Sequence, residues 1–327
     1  MGTYLPLLSV LLSTTPTWAA TSSDVDPEVK LGGVAWAKAT YTSTDDSMRL
    51  PDLDLYRVHL WGSSQLGTDW SGTFRLHAGT APGVLSRYNQ DGTIFVYQAF
   101  LDRKHLFSDA DKVTLGLATN AYLKRLYRLH GTRFISRLIA QRIGYLTPTP
   151  LGVRYEHTTP SLQSAFTLET TAVRPDTPTT HLIGVGSTLH WSPAQPWTLS
   201  AHATYRHHSN ASAARPSEAV FASALTYQNN HLTLSAEVVG RLLAESTADT
   251  ELGGGLLGKL KLYRSLHLFG QFIAGNRAFQ DTLGPQFTWR TGPLVLLQDN
   301  LMVAFIVDVE HRDSPTVITS LAASKQF

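Results

Sequence analysis

Two stretches of the chain carry residue types whose spacing could support chemistry. The first reads Tyr205-Arg-His-His-Ser-Asn210, in which one residue separates His207 from Ser209. Alternate residues of a β-strand point to the same face of a sheet, so these two side chains would lie side by side. A histidine there could act as general base and activate the serine hydroxyl for attack on an ester. The stretch therefore allows a serine hydrolase as an alternative, although such polar clusters are more typical of loops at the rim of a sheet.

The second stretch, Tyr122–Thr147, contains many basic residues and no acidic one. Its apolar residues recur at helical spacing, which predicts a partly helical connection. Guanidinium groups match phosphate and carboxylate oxygens in pairs, and a narrow aqueous passage lined by cations lowers the barrier for anions. The basic residues of this stretch are Lys124, Arg125, Arg128, Arg133, Arg137 and Arg142.

Further cations fall on the polar faces of alternating segments, and we expect them to face the same interior as the basic stretch. The histidines do not show metal-ligand spacing, and we predict neither a metal nor a cofactor. A net charge of +2 is too small to indicate a nucleic-acid partner. These further cations are Arg57, Arg75, Arg154, Arg206, Lys259, Lys261 and Arg290.

The elements that must position these residues are predicted to be strands. Only 16% of the residues are charged, against about 25% in soluble domains, and no apolar run is long enough for a membrane-spanning helix. Apolar and polar residues alternate instead, as in Trp197–Arg206, which is typical of a sheet that is apolar on one face and wetted on the other. A soluble sandwich alternates in the same way. With no cysteine, a closed barrel would supply the rigidity that disulfides give other exported proteins.

Counting the alternating segments predicts an all-β, transmembrane, antiparallel barrel of about sixteen strands, although the pattern also allows twelve or fourteen. Every second connection is short, as at Leu66–Asp69, Thr158–Ser161, Asn229–Asn230, Arg264–Ser265 and Thr291–Gly292, whereas others, such as Ala81–Gly92 and His207–Glu218, are longer. The basic stretch then forms the third outer loop. The predicted strands are 30–43, 53–65, 70–79, 93–104, 112–121, 149–157, 162–173, 181–191, 197–206, 219–228, 231–241, 252–264, 266–275, 282–290, 293–307 and 315–327.

The two ends of the chain suggest export to an outer membrane. Residues 1–19 have an apolar core and small residues before a cleavage site at Ala19, so they are predicted to be a signal peptide, and 20–327 the barrel. The chain ends in Phe327, with Leu321 and Ala323 on the same strand face. A terminal aromatic of this kind resembles the signal that the barrel-assembly machinery recognises.

Residues 30–160 resemble the phosphate-selective porins of the porin O and P type. The resemblance implies a sixteen-stranded barrel, often trimeric, that passes phosphate or other small anions. A proline that this family often has two residues beyond the glycine of the fifth strand is replaced in the run from Gly116 to Ala121. The similar segments are Leu31–Lys38, Tyr56–Trp70, Tyr97–Asp102, Lys112–Leu117 and the stretch from Arg133 to Val153.

The His-x-Ser-Asn stretch resembles the active site of outer-membrane phospholipase A and of lipid A deacylases. Those families orient the histidine with an Asn or Glu about a dozen residues after the serine. Phe221 stands at that spacing here, with Ser217 and Glu218 nearby, and Ala211 replaces the usual glycine.

We therefore expect an outer-membrane porin for small anions, in which the third loop enters the lumen. The alternative for that loop is a solvated position outside, where it would bind lipopolysaccharide phosphates, or a lesser one as an interfacial helix. The alternative function is a lipid-ester hydrolase that uses His207 and Ser209.

Overall fold

The structure is a computed structural model of the chain. It describes residues 29–44, 47–48, 52–79, 93–131, 138, 140, 146, 149–173, 180–208, 217–243, 251–275, 286–297, 301–311 and 315–326. The predicted signal peptide, Phe327 and the Ala81–Gly92 loop lie outside these residues.

Sixteen strands and one short helix account for most of the described chain, and a two-residue strand, Ser47–Met48, extends the first hairpin. The helix α1 (Ala121–His130) lies between the fifth and sixth strands. The strands are β1 (Val29–Thr44), β2 (Asp52–Gln65), β3 (Trp70–Gly79), β4 (Thr93–Lys104), β5 (Asp111–Leu117), β6 (Leu151–Thr158), β7 (Leu162–Val173), β8 (Thr180–Trp191), β9 (Trp197–His208), β10 (Glu218–Gln228), β11 (Leu232–Leu243), β12 (Glu251–Lys261), β13 (Leu266–Gly275), β14 (Gln286–Leu296), β15 (Leu301–His311) and β16 (Pro315–Gln326).

The sheet closes on itself. Each strand pairs antiparallel with the next along the chain, and β1 pairs with β16 over a register that runs from Val34 opposite Gln326 to Ser43 opposite Val317. Closure removes the unpaired strand edges that an open sheet would present, so the backbone groups of every strand have partners on both sides.

The two faces of the barrel have the opposite polarity to those of a soluble protein. Along β9, Leu199 and Tyr205 are 40% and 52% exposed on the outside, whereas Ser200 and Arg206 are buried inside. An apolar exterior and a polar interior are what a barrel that spans a membrane requires. Among the described residues, the helix is too short and too polar to cross a membrane.

Exposed aromatic residues gather on the outer face near both ends of the strands, as in membrane barrels. The connections at one end, such as 66–69, 159–161 and 229–231, are short, and we call it the turn end. The other end, where connections such as 118–150 are longer, is the loop end. The turn-end aromatics include Trp70, Trp191, Trp197 and Tyr263, and those of the loop end include Tyr205, Phe221, Phe287 and Trp289.

The predicted strand count is confirmed, and most predicted bounds fall within a few residues of those found. Two predictions were wrong. The fifth strand ends at Leu117 rather than at residue 121, because the helix begins there. Thr291–Gly292 is not a turn but lies inside β14, which continues to Leu296, and the Leu297 N–H donates to the Leu301 carbonyl of β15 at 2.7 Å.

The sequence Gly292-Pro293 looks like a turn because both residues disfavour regular strands. In the barrel they leave a short gap in the pairing of β14 with β15, which resumes in the same register from Thr291 opposite Val307 to Leu294 opposite Ala304. A Cβ built on Gly292 would lie 1.8 Å from the carbonyl oxygen of Phe305, so only glycine permits this close backbone approach.

A row of alternating charges joins the inner wall from β7 to β12 near the loop end. Arg206 Nε lies 3.2 Å from Glu169 Oε1, and its Nη1 lies 3.0 Å from Glu218 Oε1. Arg241 continues the row, with Nη1 3.6 Å from Glu218 Oε2 and Nη2 2.6 Å from Glu251 Oε2. We call these five residues the charge row; each guanidinium in it is shared by two carboxylates.

The charge row crosses β8 over Gly184, which is the register partner of both Glu169 and Arg206. A Cβ on Gly184 would lie 2.9 Å from Glu169 Cγ and 3.3 Å from Arg206 Cγ. The missing side chain therefore allows an ion pair to form between strands that are not neighbours.

We expect Gly184→Val to separate Glu169 from Arg206 and to destabilise the barrel by about 1–3 kcal/mol, through crowding and the loss of a buried charge pair. Urea unfolding, followed by the gel-mobility difference between folded and unfolded barrel, measures this change. Gly270→Val is the matched control, because nothing lies within 4 Å of a Cβ built on Gly270. Equal losses in both variants would contradict the role given to Gly184.

Candidate functional site

Local sequence signals start and stop helix α1. The Asn120 side chain accepts hydrogen bonds from the backbone N–H groups of Tyr122 and Leu123, which caps the first turn. Gly131 ends the helix in the left-handed conformation at φ 64°, and its N–H donates to the Tyr127 carbonyl. The third connection is therefore partly helical, as predicted.

The helix packs against the inner wall of the barrel. Tyr122, Leu123 and Leu126 are fully buried, and they belong to one apolar cluster with inward-facing side chains of β10, β11 and β13. Those wall residues include Val220 and Val239. Because the contacts lie on the inner face, α1 runs inside the lumen and narrows it.

Polar contacts fix the helix at both ends. The Tyr122 hydroxyl donates to Glu237 Oε1 at 3.1 Å, and Lys259 Nζ donates to the His130 carbonyl at 2.6 Å. Gln228 Nε2 donates to the Leu129 carbonyl at 3.1 Å. These three wall side chains belong to β10, β11 and β12, so the loop is held across the lumen from the strands that carry it.

Side chains of β6, β8 and β9 hold the start of the loop. Arg154 Nη1 of β6 donates to the Thr119 carbonyl at 2.5 Å. The Tyr122 ring stacks on His190, with centroids 6.2 Å apart, and lies 5.9 Å from the ring of His202. The histidines in turn hydrogen bond to wall hydroxyls, His190 to Ser200 at 2.8 Å. The first turn of α1 therefore rests on wall side chains that pack against it and are themselves hydrogen bonded.

The polar side of α1 carries three cations, Lys124, Arg125 and Arg128. Lys124 and Arg125 are half-buried, whereas Arg128 is exposed. Within the described part of the chain, no carboxylate lies in ion-pair distance of any of them. They therefore form a local excess of positive charge where the helix narrows the lumen.

The surroundings of Lys124 disfavour the protonated, positively charged form of its amine. It belongs to the loop rather than to a spanning strand, and burial lowers its pKa to about 8. Repulsion from Lys112, Arg154 and Arg128 lowers the pKa further, and Glu156 partly offsets this repulsion.

Several of the cations predicted on the wall are already paired. Arg206 belongs to the charge row, and Arg290 forms a two-point contact with Asp308 across neighbouring strands. Arg154 Nε lies 2.5 Å from Glu156 Oε1. A paired cation attracts a passing anion far less than an unpaired one, so the sequence overestimated the positive charge of the wall.

The remaining predicted cations divide into two groups. Lys259 holds the loop, Lys261 is exposed near the turn end, and Arg75 lies on the inner face of β3. The others lie outside the described residues or have side chains that do: Arg57, Arg133, Arg137 and Arg142.

The predicted hydrolase residues lie at the loop end. His207 is exposed, and the alternation of β9 places it on the outer face; its Nδ1 lies 3.0 Å from Ser217 Oγ. Ser209 is outside the described residues. Phe221, at the family's spacing, faces outward and offers no polar group.

Sequence reasoning missed the anchors of the loop. Glu237, Gln228 and Tyr122 were not singled out, and Glu237 forms the buried contact. The available signal was an acidic residue at an inward position in the middle of β11, between Ser235 and Val239. Among the described residues, no three potential ligands group as a metal site would require.

Comparison with known proteins places the fold. No family model matches the sequence, and no curated protein matches it. Solved structures do match over nearly the whole chain. OmpF of Salmonella typhi has a TM-score of 0.66 at 12% identity, covering 92% of this chain and 98% of that one. The barrel has a porin fold.

Two further solved structures are equally similar to this chain. The anion-selective porin from Comamonas acidovorans has a TM-score of 0.66 at 11% identity and covers 92% of this chain and 100% of its own. OmpT, an outer membrane protein of Vibrio cholerae, has a TM-score of 0.66 at 11% identity, over 94% and 99%. At these identities the likeness concerns the fold, and it supports a place in the outer membrane.

We expect Tyr122→Phe to loosen the loop, because it leaves the buried Glu237 carboxylate without the hydroxyl donor, at a cost of about 1–3 kcal/mol. Limited trypsin digestion of the folded barrel measures this effect, since Lys124, Arg125 and Arg128 are cleavage sites that docking protects. Cleavage in this helix should be roughly tenfold faster. Tyr227→Phe, at the turn end, is the control and should leave the rate unchanged; an unchanged rate in both would contradict the anchoring role.

The Lys124 pKa gives a second prediction. An amine is charged below its pKa, so a pKa near 8 means that this positive charge is lost between about pH 7 and pH 9. Anion preference, read from the reversal potential across a salt gradient, should fall over this range. Lys124→Arg keeps its charge at all these pH values and should give a flatter profile. Identical pH profiles would contradict a charge at this position.

Proposed function

We propose that the protein is a passive outer-membrane channel that favours small anions. The observation that carries the proposal is the helix inside the lumen, with Lys124, Arg125 and Arg128 unpaired among the described residues. Cations at the narrowest part of a water-filled pore stabilise anions in transit and raise the barrier for cations. Release requires that no single site bind tightly, and three separate cations on one helix satisfy this condition.

The distribution of charge supports the helix, rather than the wall, as the selective element. The wall arginines near α1 are paired with carboxylates, so their fields largely cancel at a distance. The helix cations have no such partners among the described residues and sit on the helix that narrows the lumen. One similar structure is described as an anion-selective porin, which agrees with this assignment.

Phosphate is the solute that the sequence resemblance favours. Arginine side chains can donate hydrogen bonds to two phosphate oxygens at once, whereas a chloride ion is a single acceptor atom. Arg125 and Arg128, together with Arg133, Arg137 and Arg142 of the same connection, would offer this geometry. We infer a preference for phosphate-like oxyanions over halides within a general anion channel.

A channel of this kind also has an expected location and assembly. Residues 1–19 would direct export, and the barrel-assembly machinery would recognise the end at Phe327. The turn end would then face the periplasm and the loop end the exterior. A homotrimer is proposed as the assembly, and one similar structure, OmpT of Vibrio cholerae, is described in a trimer form.

A lipid-ester hydrolase is the second candidate, and the His207 geometry favours it. His207 Nδ1 lies 3.0 Å from Ser217 Oγ, so Nε2 would be the ring nitrogen available to a serine hydroxyl. The outer face at the loop end would meet lipid directly. In this mechanism the base takes the serine proton while the oxygen attacks the ester carbonyl.

Single-channel recording in a planar bilayer tests the channel. Wild type should conduct and show an anion-selective reversal potential across a salt gradient. Replacing Lys124, Arg125 and Arg128 together by Gln should lower the ratio of anion to cation permeability by roughly tenfold, because each charge acts at short range in a narrow pore. The conductance in phosphate should fall more than that in chloride.

The matched control replaces three exposed cations near the turn end, Arg103, Lys104 and Arg264, by Gln. Its selectivity should stay close to wild type, since Arg103 lies on the outer face of the barrel and salt screens exposed charges at the turn end. Equal effects in the two triple variants would overturn the helix as the selective element. Absence of conductance would overturn the channel, and hydrolysis of a lipid ester that is lost in Ser209→Ala would establish the second candidate.

A further inference from the structure

The outer face of the barrel carries an apolar groove across β1 to β5. Its volume is about 580 Å³, within the range of small-molecule sites. It lies on the lipid-facing side of the wall, away from the lumen and from helix α1. The residues that line it include Gly62, Gly72, Phe74, Ala99, Leu101 and Leu115.

The groove exists because consecutive outward positions lack large side chains. Gly72 pairs with Ser64 of β2 on one side and with Leu101 of β4 on the other. Gly62 is the next outward residue of β2 and pairs with Phe74. Outward positions elsewhere, as along β8 and β9, mostly carry large apolar side chains that cover the wall. The floor of the groove is therefore a gap in the lipid-facing surface, bounded by Phe74 and Leu101.

A cation lies at the turn end of the groove. Arg103 and Trp70 are cross-strand partners. Arg103 is the next outward residue after Leu101 on β4, and Trp70 is the next outward residue to Gly72 on β3. In each strand the step along the strand is about 7 Å. The Arg103 guanidinium lies 5.5 Å from the centre of the Trp70 ring. Arg103 is exposed, and no carboxylate of the described chain is within ion-pair distance of it.

This arrangement matches the two parts of a phospholipid. Exposed tryptophans mark the depth at which head groups meet the hydrocarbon, and Trp70 belongs to the turn-end set. A phosphate at that depth would reach Arg103, whose planar donors suit phosphate oxygens and whose other face rests on the indole. An acyl chain that continues toward the middle of the membrane would enter the groove over Gly72 and Gly62.

We propose that the groove binds one phospholipid of the leaflet at the turn end, with an acyl chain on the glycines and the phosphate on Arg103. A second copy of the chain is the competing occupant. The outward side chains that another barrel would bring at this depth, such as Trp191 and Trp197, are apolar or aromatic and would leave the guanidinium unpaired. Phosphate neutralises it, so charge complementarity favours lipid.

Retention of lipid tests the proposal. The barrel is reconstituted in vesicles of phosphatidylethanolamine and phosphatidylglycerol, extracted again in mild detergent, and weighed by native mass spectrometry. Wild type should retain one phospholipid for each barrel. Gly72→Leu should reduce the retained fraction by roughly tenfold, since a Cβ there meets only ordinary contacts at 3.5 Å and the side chain would fill the groove. Arg103→Gln should reduce it several-fold through loss of the phosphate contact.

Two controls match these changes. Gly270→Leu adds the same side chain to the lipid-facing surface of β13, where nothing lies within 4 Å of the new Cβ, and Arg264→Gln removes another exposed cation at the turn end. Both should retain lipid as wild type does. Equal retention by Gly72→Leu and Gly270→Leu would overturn the proposal.

The same spectra report the competing occupant. If Gly72→Leu alters the mass of the assembly while each barrel keeps its phospholipid, the groove contacts another copy and the lipid proposal fails. Conductance of each variant is recorded separately, so failure of the channel and failure of the lipid site give different results.

Discussion

The rest of the structure depends on the need to satisfy every backbone hydrogen bond inside a membrane. A strand in hydrocarbon finds partners only in other strands, so the sheet must close, and the pairing of β1 with β16 completes it. The pairing even continues past Gly292 and Pro293, two residues that would end a strand in most soluble proteins. Because closure creates a lumen, the polar face of the sheet becomes the inner wall and the apolar face becomes the outer surface.

The inner wall is divided according to what lies against it. Under helix α1 the wall is apolar, with Val220, Val239 and Ile273 in one cluster with the buried face of the helix. His190 and His202 lie against Tyr122 of its first turn, and elsewhere the wall carries hydroxyls and paired charges. The loop therefore rests on a surface made for it by strands far away in sequence, and its cations face the remaining polar part of the lumen. In the proposed channel, selectivity would depend on docking of the loop as much as on its charge.

The sequence predicted the barrel better than the site, for physical reasons. Alternation with a period of two is a local property, and the sixteen strands follow from it. The third connection is identifiable because it breaks that alternation. Pairing is not local. Nothing in the residues around Arg206 shows that Glu169 will reach it over Gly184 from two strands away, so its charge looked unpaired. Likewise, Glu237 is 115 residues from Tyr122, and only the closed barrel brings them together.

The charge row is a part of the wall at which the preference of such a channel for anions or cations could change. Each arginine in it is neutralised by acids that point into the same lumen, so the wall contains positive charge that is masked rather than absent. Replacing Glu218 by a neutral residue would leave Arg206 paired with Glu169 and Arg241 paired with Glu251, while the row would lose its excess negative charge. A glutamate shared by two arginines is therefore a position at which one substitution changes the charge of the lumen without leaving an arginine unpaired.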